Sequence, residues 1–224
     1  MFKRDYILRL IEQLTQVLNK VLFSKEAGNL NEAKETIRQA YPNMLGLDPG
    51  MIRSMSDVEV INFLKITGST QYERCLIIAE LLKEEASVDE LIGGDEASEE
   101  AALAYFDSLS LFLEALINKD ELMTDRFIND MQMVLEKVSG FELPPEIAEK
   151  LFRFYEISGR YADAEDILFE LTESGNPLYL KTAEEFYLRL MEKPDNELLE
   201  GNLPKEEVRE GLNRITLLLK KDHQ

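Results

Sequence analysis

Apolar residues recur every three or four positions along most of the chain, which is the spacing of one face of an α-helix. The clearest stretch is 3–23, and only the short run 58–61 resembles a strand. The pattern predicts an all-α protein of about ten helices joined by short turns. The predicted helices are 3–23, one between Gly28 and Pro42, 57–67, 71–86, 98–118, 121–138, 145–158, 161–174, 178–192 and 205–221.

A short phrase occurs twice, each time between two amphipathic helices: Gly28 to Ala33, and Gly159 to Ala164. In each copy the glycine can take the left-handed backbone conformation that ends a helix. The alanine one turn into the next helix allows the two helix backbones to approach. In the second copy, Tyr161 can fill the corner of the hairpin. We therefore expect the hinges of tightly packed helical hairpins to be formed by Gly28, Ala33, Gly159, Tyr161 and Ala164.

Helix start signals separate the helices of the N-terminal part. Ser56 with Glu59, and Thr70 with Glu73, have the spacing of a capping box. In a capping box the hydroxyl accepts from a free amide of the first turn, and the carboxylate reaches back to the cap. Upstream of the first box, residues 43–55 contain glycines and a proline, and they predict an irregular connector.

The charge is strongly negative and uneven along the chain. A formal net charge of −19 disfavours binding to nucleic acid or to an anionic membrane surface. Residues 84–100 hold eight carboxylates, two glycines and no cation, which is typical of a solvated linker. The alternative is a docking segment for a basic partner. The expected division is N-terminal hairpins at 1–92, an acidic linker at 93–97 and a C-terminal helical region at 98–224, or one continuous domain.

Side chains suited to catalysis are scarce. The one histidine is His223 and the one cysteine is Cys75, within an apolar run. This excludes Ser-His-Asp and Cys-His arrangements and the common zinc sites, and neither glycine-rich phosphate-loop motif is present. Acid pairs such as Glu170 with Glu173 are expected to be solvated surface charges. The sequence favours a protein that is not an enzyme, with no catalytic residue, metal or cofactor.

The composition favours a cytoplasmic protein. With 45% hydrophobic and 31% charged residues, the chain is typical of a folded, helix-rich protein. No stretch approaches the ~20 apolar residues of a membrane span. The opening helix mixes charged with apolar residues and lacks the unbroken apolar core of a secretory signal.

Around the second hinge the chain resembles a tetratricopeptide repeat. The residues at that motif's spacing are Leu151, Tyr155, Gly159, Tyr161, Ala164 and Leu168. The first hinge matches at fewer positions, and 56–140 shows no copy at the ~34-residue period of such arrays. The resemblance implies antiparallel helical hairpins stacked in a tetratricopeptide-like α-α superhelix.

Two other phrases resemble an uncharacterised family of bacterial cytoplasmic proteins. The first runs from Arg4 to Gln13, and the second from Gly201 to Val208. This resemblance implies a shared fold for the whole chain. It implies no activity and adds no catalytic residue.

The repeat resemblance also indicates a binding surface. If 145–158 is the first helix of a repeat, its residues Glu146, Glu149, Arg153 and Glu156 would face the concave side. Because that face is mostly acidic, its partner should be a basic or amphipathic protein or peptide.

The leading interpretation is a non-catalytic cytoplasmic helical-repeat protein that binds another protein or peptide. One alternative is a structural homo-oligomer, such as a homodimer through helix 3–23, because the alternating four-three spacing resembles a short coiled coil. Another alternative is a small-molecule sensor or carboxylate-based enzyme with a pocket between helices.

Overall fold

The structure is a computed structural model that describes residues 2–67, 71–118, 124–173 and 175–222. Within these ranges the chain forms twelve α-helices and no strand, which confirms the all-α prediction. The helices are α1 (Phe2–Glu26), α2 (Leu30–Ala40), α3 (Pro49–Ser54), α4 (Asp57–Thr67), α5 (Gln71–Ile92), α6 (Asp95–Asn118), α7 (Thr124–Val138), α8 (Pro145–Ile157), α9 (Tyr161–Glu173), α10 (Pro177–Met191), α11 (Asp195–Glu200) and α12 (Lys205–Asp222).

The observed helices differ from the predicted ones through three short additions and through a longer α5, which ends at Ile92 instead of residue 86. Helix α3 and a π-helical turn, Tyr41–Leu45, occupy the segment predicted as an irregular connector, and α11 was not predicted. The strand-like run 58–61 lies within α4. A helix of six residues shows too little periodicity to be recognised from sequence.

The first capping box is present at the start of α4. The Ser56 amide donates to Glu59 Oε2 at 2.8 Å, and the Glu59 amide donates to Ser56 Oγ at 3.3 Å. The bond from the Ser56 amide lowers the pKa of Glu59. Thr70 of the second box and His223 lie outside the described residues.

The chain divides into two compact units, unit 1 (Met1–Glu142) and unit 2 (Leu143–Gln224). This differs from the expected division, which placed a linker at 93–97. Gly93 and Gly94 instead form the turn between α5 and α6, with φ of 74° and 97°. These two helices pack along each other as the central hairpin of unit 1.

In unit 1, helices α1, α2, α4 and α7 pack around the α5–α6 hairpin. The helices contribute apolar side chains that no solvent reaches, among them Leu14, Leu64, Ile78, Phe112 and Met131. Burying one such side chain stabilises the fold by about 1.5–3 kcal/mol. At the hinge between α1 and α2, Gly28 has a φ of 74° and Ala33 is fully buried.

Unit 2 consists of the α8–α9 hairpin and of α10 packed on α12. The short α11 lies between α10 and α12 in the chain. Phe152 of α8 meets Phe186 of α10 edge to face, with 5.4 Å between the ring centroids. At the hinge between α8 and α9, Gly159 has a φ of 75°, and Tyr161 and Ala164 are buried. The left-handed glycine ends α8 because the Arg160 amide can then donate to Tyr155 O, at 2.9 Å.

Candidate functional site

The acidic run that the sequence predicts as a solvated linker begins inside unit 1. Glu85 and Asp89 of α5 are buried, and Glu84 is half-buried. Each carboxylate is paired with a cation from another helix, which offsets the loss of its hydration. The pairs are Glu84 with Lys25 of α1, Glu85 with Arg53 of α3, and Asp89 with Lys34 of α2. Residues 84–92 of this run are therefore part of α5 and of the fold, which differs from the solvated linker expected over 84–100.

One turn earlier, α5 carries an enclosed ionic cluster. Glu80 is fully buried, and the Lys83 ammonium lies 2.9 Å from its Oε2. Lys83 also donates to Oδ1 of Asp130 on α7, at 2.8 Å. Burial, followed by the neighbouring Asp130, raises the pKa of Glu80 from 4.5 to about 8. Burial opposes ionisation of Asp130 too, but hydrogen bonds with Glu80 and Lys83 hold its pKa below the usual value. Beside the same ammonium, the Glu80 pKa is therefore shifted towards the neutral carboxyl and the Asp130 pKa towards the ionised carboxylate.

The Glu80–Lys83–Asp130 cluster is shielded from solvent at Glu80 and joins two helices of unit 1. A general acid must come within hydrogen-bond distance of the group that it protonates, and no substrate atom can approach the enclosed Glu80 carboxyl. The cluster instead attaches α7 to α5. Lys25 adds a link to α1 because it donates to Glu84 at 3.0 Å and to Ser87 at 2.8 Å.

Other titratable groups of unit 1 are also held by internal contacts. Burial, with a smaller effect of the Asp57 charge, raises the pKa of Asp107 to about 6. At the far end of α5, the Tyr105 hydroxyl donates to Glu90 Oε2 at 3.0 Å, and Lys137 donates to the same oxygen at 2.7 Å.

A narrow apolar groove lies between α1, α5 and α7. It is lined by Ile7, Leu10, Ile11, Glu73, Leu76, Ile77 and Phe127, and its enclosed space is about 20 Å³. That space holds about one water molecule, so the groove as it stands is too small for a metabolite. A small molecule could bind in this groove only if α1, α5 and α7 moved apart.

The four predicted partner-binding residues all lie on α8 of unit 2. Glu146 and Arg153 are exposed, whereas Glu149 and Glu156 are half-buried. Two of the four side chains therefore lie in solvent, and the other two lie against the neighbouring helix α10.

Two side chains of α10 bind the half-buried carboxylates of α8. The Tyr179 hydroxyl donates to Glu149 Oε1 at 2.8 Å. The Arg189 guanidinium donates two hydrogen bonds to Glu156, at 2.7 and 2.9 Å, in the bidentate geometry that fixes both groups. These contacts raise the pKa of Tyr179 and of Arg189. The six residues Glu146, Glu149, Arg153, Glu156, Tyr179 and Arg189 are called the α8–α10 surface below.

The hinge of unit 2 has a further contact that sequence reasoning missed. Gly201, which follows α11, accepts a hydrogen bond from the Ala162 amide at 3.0 Å. A Cβ atom at position 201 would lie 2.3 Å from Tyr161 Cδ2 and 2.5 Å from Gly159 O. The segment after α11 therefore closes over the hinge only because residue 201 is glycine. The phrase from Gly201 to Val208 marks this segment in the sequence. Nothing in that phrase indicates that Gly201 lies against the hinge.

The described residues hold neither a candidate membrane span nor a candidate metal cluster. No described helix has both the length and the apolar character needed to cross a bilayer. In the same residues, no group of three or more His, Cys, Asp or Glu side chains could hold a metal ion.

Comparison with known proteins gives one match. The model of a family of unknown function, DUF6483, matches residues 1–220, which confirms the expected resemblance to an uncharacterised family. No curated protein and no solved structure matches the chain.

Proposed function

We propose, from the premise that this chain belongs to the family of unknown function DUF6483, that it is a non-catalytic cytoplasmic protein that binds another protein or peptide. The observation that carries this proposal is the α8–α10 surface. Its side chains are held in place by contacts between the two helices, and Glu146 and Arg153 extend from it into solvent.

A surface of fixed side chains favours binding because less conformational entropy is lost when a partner docks. Glu149 and Glu156 are already ordered by Tyr179 and Arg189, so a partner needs to order few further groups. The three carboxylates of the surface outnumber the guanidinium groups of Arg153 and Arg189, which favours a basic or amphipathic partner. The net charge of −19 would speed its approach and make binding sensitive to salt.

The proposal is tested by affinity capture from cell lysate, with identification of the retained proteins by mass spectrometry. The wild-type chain is compared with the charge swap Glu146→Lys/Arg153→Glu. The control is the swap Arg209→Glu/Glu210→Lys on the exposed face of α12, which also leaves the net charge unchanged. A partner lost only by the α8 swap supports the proposal. A partner retained by both swaps, or a stoichiometric small molecule in place of a protein, contradicts it.

Self-association through α1 is a second candidate, favoured by a specific observation. Leu8, Leu22 and Phe23 are exposed on this helix, with Ile11 and Leu18 half-buried between them. Positions 8, 11, 18 and 22 lie on one stripe of the coiled-coil type. If a second copy covers that stripe, sedimentation should show a dimer for the wild type and a folded monomer for Leu8→Glu/Leu22→Glu. A monomeric wild type at high protein concentration would exclude this candidate.

A further inference from the structure

The α5–α6 hairpin exposes three aliphatic side chains, two in the last turn of α5 and one about two turns into α6. Leu91 and Ile92, in the last turn of α5, are 55% and 45% exposed, and Leu103 of α6 is 66% exposed. Together with Asp95, Glu99 and Glu100 they are called the hairpin tip below. Exposed apolar patches on folded domains often mark interaction sites.

Within the described part of the chain, no cation pairs with the carboxylates of the hairpin tip. Asp95, Glu99 and Glu100 are exposed, and none of them forms an ion pair with another described residue. The sequence contains no Lys or Arg from 84 to 118. The negative charge at the tip is therefore available to a partner.

The cations that other helices bring to the end of α5 are already engaged. Lys34 of α2 pairs with Asp89, and Lys137 of α7 donates to Glu90 at 2.7 Å. Lys137 also lies over the Tyr105 ring, 5.9 Å from its centroid. Lys34 or Lys137 could pair with the carboxylates of the hairpin tip only after these contacts were broken.

Charge and apolar surface coincide on one face of α6. Glu99 and Glu100 precede Leu103 by four and three residues, and side chains with these separations are neighbours on a helix. A partner that covers Leu103 must therefore approach two unpaired carboxylates, so an acidic or neutral apolar surface would leave them desolvated without compensation.

We propose that the hairpin tip docks a basic amphipathic helix, whose apolar row covers Leu91, Ile92 and Leu103 and whose Lys or Arg residues pair with Asp95, Glu99 and Glu100. The partner is selected by apolar contact and by charge together. This surface lies in unit 1 and shares no residue with the α8–α10 surface of unit 2, so the two proposals stand or fall separately.

The test measures binding of a labelled amphipathic peptide built of Leu and Lys, about five helical turns long, by fluorescence anisotropy on the full chain. Leu103→Gln is compared with Leu217→Gln, which changes a leucine of α12 that is 61% exposed. We expect Leu103→Gln to weaken binding about tenfold and Leu217→Gln to leave it unchanged. Equal loss in both variants, or no binding to the wild type, would overturn the proposal.

A second pair of variants tests the charges. Glu99→Gln/Glu100→Gln and Glu170→Gln/Glu173→Gln each remove two exposed carboxylates, so they change the net charge equally. The tip variant should weaken peptide binding about fivefold at ~0.05 M salt and much less at ~0.2 M salt, while the α9 variant should behave as wild type. Equal losses would mean that general attraction to an acidic protein explains the binding. Dimerisation of the chain abolished by Leu103→Gln would identify a second copy as the occupant and also overturn the proposal.

Discussion

Unit 1 and unit 2 are both built of helical hairpins, but they use their acidic residues differently. In unit 1 the carboxylates of α5 enter the interior and meet cations from other helices, as Glu84 meets Lys25 and Asp89 meets Lys34. In unit 2 the interior is aromatic and aliphatic, and the ion pair Glu156–Arg189 lies at the surface of the helices. The difference shows that a run of acids in a sequence does not by itself indicate exposure. Whether it is buried depends on cations that come from elsewhere in the chain.

The largest expected effect comes from removing the central cation of unit 1. Lys83→Met keeps most of the side-chain volume but leaves Glu80 and Asp130 without their ammonium. Removing one partner of a buried ionic group costs about 3–5 kcal/mol. We expect that loss in the free energy of unfolding, measured by urea denaturation. Lys20→Met, at an exposed position of α1, is the control and should change stability by less than ~0.5 kcal/mol.

A pH series tests the raised pKa of Glu80 in the same cluster. The pKa of Glu80 is raised in the folded state from 4.5 to about 8, so its contribution to stability is complete below pH 4.5 and is lost as the pH rises towards 8. Asp107 acts in the same direction, between 3.8 and about 6. We expect the wild type to lose on the order of 3 kcal/mol across this window.

The matched variant for the pH series is Glu80→Gln, which keeps the shape of the side chain and cannot ionise. Its stability should fall much less with pH than that of the wild type, whereas Glu170→Gln at an exposed position should leave the wild-type profile intact. Parallel profiles for wild type and Glu80→Gln would show that Glu80 is ionised normally in the folded protein.

The corresponding test of unit 2 is steric. In Gly201→Ala the new Cβ would lie 2.5 Å from Gly159 O and 2.3 Å from the Tyr161 ring, so the segment after α11 must move off the hinge. We expect a loss of about 2–3 kcal/mol by thermal or urea unfolding, as for overpacking elsewhere. Gly140→Ala, where no atom lies within 4 Å of the new Cβ, is the control. Equal stability of the two variants would contradict the described closure of the hinge.

The hinges offer a comparison in which the two units should agree. Ala33 of unit 1 and Ala164 of unit 2 are both fully buried one turn after a left-handed glycine. Ala33→Leu and Ala164→Leu should each cost about 1–2 kcal/mol through overpacking. Ala27→Leu, at an exposed position, should be close to neutral in the same melting experiment. A neutral result at only one hinge would show that the repeated phrase has different packing in the two units.

Local patterns were sufficient to predict ten of the twelve described α-helices. The periodicity of 3–23 and the Gly28 and Gly159 turns depend on neighbours within a few residues, and such features can be recognised in one sequence. The Ser56 capping box is of the same kind. The described helices match the predicted ones apart from α3, α11 and the end of α5, which lies at Ile92 instead of residue 86.

Contacts between distant residues could not be predicted in this way. Glu84 meets Lys25 and Asp89 meets Lys34, and each cation precedes its partner by more than fifty residues. The sequence therefore showed the acids of α5 without their counterions, and the linker interpretation followed. Placing Glu149 and Glu156 against α10 likewise required the positions of Tyr179 and Arg189, which only the tertiary structure supplies.

Hydrogen exchange of the backbone amides of residues 80–92, followed by mass spectrometry, tests the central claim that the acids of α5 belong to the interior of unit 1. If α5 is the core helix described here, these amides should exchange as slowly as those of the buried part of α6, and far more slowly than those of the turn at Gly93 and Gly94. Exchange at the rate of an unstructured chain from residue 84 onward would restore the solvated linker and contradict the account.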